Sequence, residues 1–203
     1  MRALTTALAL LLTCSATAAW SQTASAPEIL NTLRAGGYVI VIRHGATYAD
    51  QVDTDPFNFD NVAKQRQLND KGRSDARALG EVLKTANVPI GQVCSSRFYR
   101  AIETARLIAG KEPVTTLDVT EGGLVVSPNE NNRRTQELRA MAGKLPPAGT
   151  NTLIVTHKPN IVDAFGRDWL EIREGEASIF KPAGDGTFTL IDRVAINQWA
   201  MSK

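Results

Sequence analysis

Two five-residue runs constrain this chain more than any other feature: Tyr38-Val39-Ile40-Val41-Ile42 and Thr152-Leu153-Ile154-Val155-Thr156. Both are almost continuously apolar and β-branched rather than alternating, which marks strands covered on both faces. Gln92 to Ser95 and Val114 to Leu117 read as shorter strands between them. Helices fill the gaps. Pro27 to Leu33 leads, ended by Gly36-Gly37. Lys71 to Ala86 carries Ala76, Leu79, Val82 and Leu83 at helical spacing. Phe98 to Ala109 is closed by Gly110, Asn132 to Ala142 stops before Gly143 and Pro146-Pro147, and Ile161 to Phe165 opens a last helix. Ala177 to Lys181 and Thr187 to Val194 are closing strands joined through Gly184-Asp185-Gly186. Asp50 to Asn61 is acidic and aperiodic, hence a loop. Alternating strands and helices predict an α/β fold, a three-layer α/β/α sandwich with a mostly parallel central sheet. In such sheets the working site lies beyond the carboxyl ends of the strands.

The amino terminus is of a different kind. Met1-Arg2 is followed by an almost wholly apolar stretch from Ala3 to Leu12. Ala16-Thr17-Ala18 and Ala24-Ser25-Ala26 both fit a small-x-small cleavage pattern. This is the layout of a secretory signal peptide, too short to be a spanning helix. Residues 1–26 are therefore set aside as signal, and 27–203 are expected to form one domain. The expected location is secreted or periplasmic, with no stable membrane span after cleavage. Cys14, after Leu11-Leu12-Thr13, leaves a lipoprotein as the alternative. Cys94 then stands alone, so no internal disulfide forms, and it reads as a buried packing residue. The net charge of +2 lacks the polybasic footprint of a nucleic-acid binder.

Three short motifs fall where the fold would place a site. Arg43-His44-Gly45 follows the first long strand, Ser95-Ser96-Arg97-Phe98-Tyr99-Arg100 follows the 92–95 strand, and His157 follows the second long strand. The sequence contains only these two histidines. A neutral imidazole is a competent nucleophile at neutral pH. A phosphoryl group under attack needs its oxygens held and their charge offset, and guanidinium groups do this with paired planar donors. Arg43 and Arg100 are placed to supply them, and the helix beginning near Phe98 to supply a favourable dipole. Gly45 would let the backbone pass close to a ligand. His157 would donate to a phosphoryl oxygen.

These segments together resemble the histidine phosphatase superfamily, the phosphoglycerate-mutase-like proteins. Val41-Ile42-Arg43-His44-Gly45-Ala46-Thr47 is similar to its opening motif, and Leu68-Asn69-Asp70-Lys71-Gly72-Arg73 to its next helix start. Ser95 to Ala105 resembles its second arginine motif, and Leu153-Ile154-Val155-Thr156-His157 its second histidine motif. The likeness spans about residues 38–182. It implies that His44 becomes phosphorylated, that Arg43, Arg100 and His157 complete the phosphate pocket, and that water releases the phosphate without metal or other cofactor. Thr47 would add a hydroxyl near the phosphate. The proton donor to the leaving group is left open. Glu121 lies after the third strand, and Glu176 precedes a closing strand that begins at the active-site end if it runs antiparallel. Glu130 is the lesser candidate. The expected activity is phosphomonoester hydrolysis on a small phosphorylated substrate or a phosphorylated envelope glycan. A mutase would need a bisphosphorylated cytoplasmic cofactor, which the signal peptide argues against. A non-catalytic phosphate-binding envelope protein on the same fold is the alternative.

Overall fold

The structure is a computed structural model and describes residues 25–123 and 125–201. The proposed signal peptide, with Cys14, lies outside these residues except for Ser25 and Ala26. Those two belong to the first helix, α1 (Ala26–Arg34): the Glu28 carboxylate accepts from the Ser25 amide at 2.7 Å. The first helix thus takes in Ala26 and is capped by Ser25, both inside the span set aside as signal.

Six strands form one mixed sheet. They are β1 (Val39–Arg43), β2 (Ile90–Ser96), β3 (Val114–Thr116), β4 (Asn151–Thr156), β5 (Ala177–Pro182) and β6 (Phe188–Val194). Their order is β3-β2-β4-β1-β5-β6. The first four run parallel, and β5 and β6 add an antiparallel hairpin at one edge. The expected three-layer sandwich is what forms.

The continuous apolar runs are explained by what they touch. Ile40 and Ile42 face a core shared with α1, α2 (Asp70–Thr85) and α3 (Tyr99–Ala109). Val39 and Val41 face the opposite core, under α4 (Pro128–Ala142) and α5 (Lys158–Phe165). A strand with a helix layer on each side has no face left for polar residues. Cys94 packs at the edge of this second core, and burial pushes its thiol pKa up, as a packing role requires.

Two helices begin earlier than periodicity predicts. α4 starts at Pro128, because Ser127 caps it by accepting the Glu130 amide at 3.3 Å and proline suits a first turn. α5 starts at Lys158, immediately after the second histidine.

The registers bring the two histidines together. Arg43 pairs with Thr156, so His44 and His157 each stand one residue beyond a matched pair of parallel strand ends. The His44 amide donates to the Thr156 carbonyl at 3.0 Å. β1 is followed by a long excursion, residues 44–69, folded back over the carboxyl end of the sheet. Loops of this length inside a compact domain usually serve a ligand. Here a bridge between Thr47 and Leu68 closes its base.

The turn after His44 rests on backbone packing. A methyl group at Gly72 would be driven into the Ala46 carbonyl and to within 2.7 Å of its amide. One at Gly45 would stand 3.1 Å from the Gly72 carbonyl oxygen. Gly45 is thus also favoured by the close approach of α2, besides the ligand-contact role expected for it. Replacing Gly72 by alanine gains about 1 kcal/mol of helix propensity. The displaced backbone costs about 3 kcal/mol, the upper range for overpacking, which leaves a net loss of about 2 kcal/mol. A Gly72→Ala variant is expected to lose roughly 4–8 °C in Tm by calorimetry, with loss of activity because the His44 turn moves with it.

Candidate active site

His44 is 2% exposed and His157 fully buried, and their ring centres lie 5.1 Å apart, edge to face. The His44 ring donates from Nδ1 to the Gly45 carbonyl at 2.8 Å. A neutral ring carries one proton, so Nε2 keeps its lone pair. Burial, then the charges of His157, Arg100 and Arg43, push the His44 pKa well below its ordinary value. A buried, unprotonated Nε2 is the nucleophile that phosphoryl transfer to nitrogen needs.

His157 is fixed differently. Its Nε2 lies 2.7 Å from the Ser96 hydroxyl, which already accepts the Phe98 amide at 3.1 Å. With no other acceptor for its hydrogen among the described residues, the hydroxyl donates to Nε2, which places the ring proton on Nδ1. That Nδ1 is buried and has no hydrogen-bond partner within bonding distance; the nearest acidic oxygen, on Glu121, is 3.5 Å away. Such an orphaned donor suits a ligand oxygen. Burial, then Arg100, Arg66 and Arg43, drive this ring's pKa well down too.

Two neutral buried rings carry a consequence for stability. Below about pH 6.5 the unfolded chain protonates both while the native chain does not, so stability falls as pH drops through the unfolded value. Denaturant unfolding is expected to show a loss of about 2–3 kcal/mol between pH 7.5 and 5.5, from two rings that each contribute about 1.4 kcal/mol over this window. A His44→Asn/His157→Asn double variant should lack this dependence.

Arg100, in the first turn of α3, is fully buried. Its Nη1 donates to Asp53 at 3.0 Å and its Nη2 to Glu121, while its Nε is unpartnered. The guanidinium stacks 4.3 Å above the Phe98 ring. Arg43 donates from Nη1 to the Ile172 carbonyl at 2.8 Å and lies 3.5 Å from Glu174, with its Nε also buried and unpartnered. Thr47, expected near the phosphate, sends its hydroxyl to Glu174 at 3.4 Å and so belongs to the Arg43–Glu174 group. The first amide of α3, on Tyr99, donates to Gln65 at 2.7 Å, so that one donor of the first turn is already used.

The three candidate acids separate clearly. Glu121 touches Arg100 and approaches His157. Its main chain is pinned. The Thr120 carbonyl accepts from Arg134 at 2.9 Å, the Thr120 hydroxyl accepts the Arg97 amide at 2.9 Å, and the Val119 carbonyl accepts from Thr156 at 2.6 Å. Glu176 does start at the active-site end, since β5 is antiparallel to β1 and the Glu176 carbonyl accepts the Arg43 amide. Its carboxylate, however, is held by Arg193 at 2.5 and 2.9 Å and by the Arg173 amide at 3.1 Å. Glu130 lies in the first turn of α4, where hydrogen bonds from Arg133 and then Arg134 bring its pKa down to about 2. It orients Arg134 rather than reaching the histidines.

Four participants escaped the sequence reading. Asp53 bridges Arg100 and the Arg66 amide. Arg66 adds a third positive charge felt by both Arg43 and His157. Ser96 sets the His157 tautomer, and Glu174 partners Arg43. The Ser95-Ser96 pair at a strand end was the one available signal.

Two imidazoles, one with a free lone pair and one with a free proton, beside two guanidiniums are a set of groups able to hold an anionic phosphoryl group. Residues 39–124 match the histidine phosphatase superfamily, branch 1. Solved structures similar to this chain have the same fold. A phosphoserine phosphatase from Entamoeba histolytica, solved with phosphoserine, is 16% identical with a TM-score of 0.57, over 79% of this chain and 98% of that one. The protein histidine phosphatase SixA, complexed with tungstate, is 18% identical with a TM-score of 0.55, over 79% and 97%. A mycobacterial glucosyl-3-phosphoglycerate phosphatase is 16% identical with a TM-score of 0.52, over 77% and 97%. No curated protein sequence matches the chain. The superfamily match covers β1, β2, β3 and Glu121, while His157 and β4 lie beyond it and are placed by the fold.

Proposed function

We propose that this chain is a metal-independent phosphomonoesterase working through a phosphohistidine on His44, and that it acts outside the cytoplasm. The observation that carries the reading is the His44 ring, buried and neutral, with Nδ1–H committed to the Gly45 carbonyl and Nε2 unprotonated.

Nε2 attacks phosphorus and the ester P–O bond breaks. Arg43, Arg100 and the Nδ1–H of His157 hold the phosphoryl oxygens as charge develops. Glu121 gives its proton to the departing oxygen. Glu121 then takes a proton from water as it attacks the phosphohistidine, giving inorganic phosphate and free His44. Glu176, tied to Arg193, supports the β5–β6 hairpin instead.

The extracytoplasmic location rests on the apolar, small-residue layout of the first 26 residues. Among the described residues no helix is long and apolar enough to cross a membrane.

The test is rapid quenching of turnover in the presence of EDTA. A phosphoryl adduct stable in alkali and labile in acid, mapped to the His44 peptide, is the expected result. Turnover without any adduct, or turnover abolished by EDTA, would refute the mechanism. Phosphate binding with no turnover on any ester would favour the non-catalytic binder.

A further inference from the structure

We propose that the alcohol side of the substrate is apolar, so that the preferred ester is a hydrophobic phosphomonoester seated in a groove that begins at Glu121. This rests on the phosphatase reading above and extends it to substrate class.

The groove encloses about 420 Å³, within the range of small-ligand sites. Two loops build its walls: Phe57 and Phe59 from the excursion after β1, and Leu117, Val125 and Val126 from the stretch after β3, with Phe98 between them. It is continuous with the reacting centre. The Phe98 ring lies 5.5 Å from His157 on one side and 5.1 Å from Phe59 on the other. Asp53 and Glu121, the two carboxylates on Arg100, stand at its border.

Direction follows from the proton. The group that protonates the leaving oxygen must stand on the leaving-group side of phosphorus. If that group is Glu121, the alcohol extends past Glu121, into the space Glu121 lines. The polar side chains of the described groove residues are already committed. Asp53 and Glu121 bind Arg100, and Arg134 donates to Glu130 and to the Thr120 carbonyl. A sugar or amino-acid alcohol would surrender water here and find few replacement partners, the second oxygens of Asp53 and Glu121 and the Gly122–Gly123 main chain, which is unfavourable. An apolar alcohol gains instead. Phe57 is 73% exposed, Val125 46% and Leu117 38%, a cluster of exposed apolar side chains that a bound chain or ring would cover. The acidic loop, whose acids might have been the selecting groups, turns Asp53 to Arg100 and Asp55 to Asn61, and offers its phenylalanines to the groove.

A smaller polar hollow of about 130 Å³ also begins at Glu121, lined by Asn131, Asn160 and Asp163. It is where a polar alcohol would go, and it sets the contrast for the test.

The experiment compares hydrolysis of n-alkyl phosphates, methyl to hexyl, with phosphoserine, and measures calorimetric binding of hexylphosphonate and methylphosphonate. The expected result is a rise in kcat/KM of about fourfold per added methylene, the worth of one buried CH₂. Phe57→Ser and Val125→Ser, both at exposed positions, should each lower kcat/KM for hexyl phosphate roughly tenfold through KM and leave methyl phosphate unchanged. Equal rates along the series, or a preference for phosphoserine, would overturn the apolar assignment while leaving the phosphatase reading standing. No hydrolysis of any ester, together with hexylphosphonate binding that Phe57→Ser weakens, would uphold the groove and refute the catalytic reading. Equal binding of the two phosphonates would refute the groove whatever the kinetics.

Discussion

A His44→Ala variant is expected to lose hydrolysis of every phosphomonoester by at least about 10⁴-fold in kcat, the scale on which enzymes lose rate when a covalent nucleophile is deleted. Steady-state assays with a sensitive phosphate readout measure this. Phosphate affinity should change little, because Arg43, Arg100 and the His157 Nδ1–H remain. The ring's own hydrogen bond, to the adjacent Gly45 carbonyl, is local, so the fold should survive its loss. His157→Gln would act differently, since it removes a donor to the phosphoryl oxygens but no bond-forming atom. Its loss should be about 10²–10³-fold, as for removing one donor of an oxyanion site. Equal residual activity in the two variants would mean that neither ring forms the bond. The pH profile sharpens the assignment: both rings stay neutral well below their usual range, so kcat/KM should hold steady down to about pH 6.5 instead of falling there.

The second large effect separates the two glutamates. Glu121→Gln keeps the side-chain shape but removes the transferable proton. For alkyl phosphates, whose alkoxides leave poorly, kcat should fall about 10²–10⁴-fold, the usual range for general acid catalysis. For 4-nitrophenyl phosphate, whose leaving group needs no proton, the same variant should retain most of its activity in the phosphorylation step. Glu176→Gln should show no such dependence on leaving group. It should instead lower stability by about 1–3 kcal/mol, because the buried Glu176 side chain loses its charge-assisted bonds to Arg193. If Glu176→Gln, and not Glu121→Gln, discriminated between leaving groups, the acid assignment would be reversed.

The strands and the strand-end residues were readable because their signals are local. A continuous β-branched run can only be a doubly covered strand, and a histidine directly after it inherits its position from that strand. Arg43, His44, Arg100 and His157 were found in this way. The two glutamates could not be ranked from the sequence, because what distinguishes them is remote. Arg193 sits on β6, paired opposite Ser178, and that register brings its guanidinium onto the Glu176 carboxylate. Asp53 and Arg66 were hidden for a related reason: both lie in an aperiodic loop whose path is set by tertiary hydrogen bonds, such as Gln65 to Phe59 and to Tyr99. The early start of α4 was readable in principle, from Ser127 before Pro128. A run of asparagines after it masks the helical pattern. The groove leaves no sequence pattern, since Phe57, Leu117 and Val125 are single residues in separate loops.

The two halves of the site have different origins. The reacting groups stand on strand ends and on the first turn of α3, locked by main-chain contacts such as that between the His44 turn and α2. The walls beyond Glu121 come from two surface segments that contribute nothing to the sheet. Selectivity in this architecture is thus a detachable trait: exchanging residues 55–59 or 122–126 would present a new surface to the alcohol while Asp53, Glu121 and the histidines stay in place.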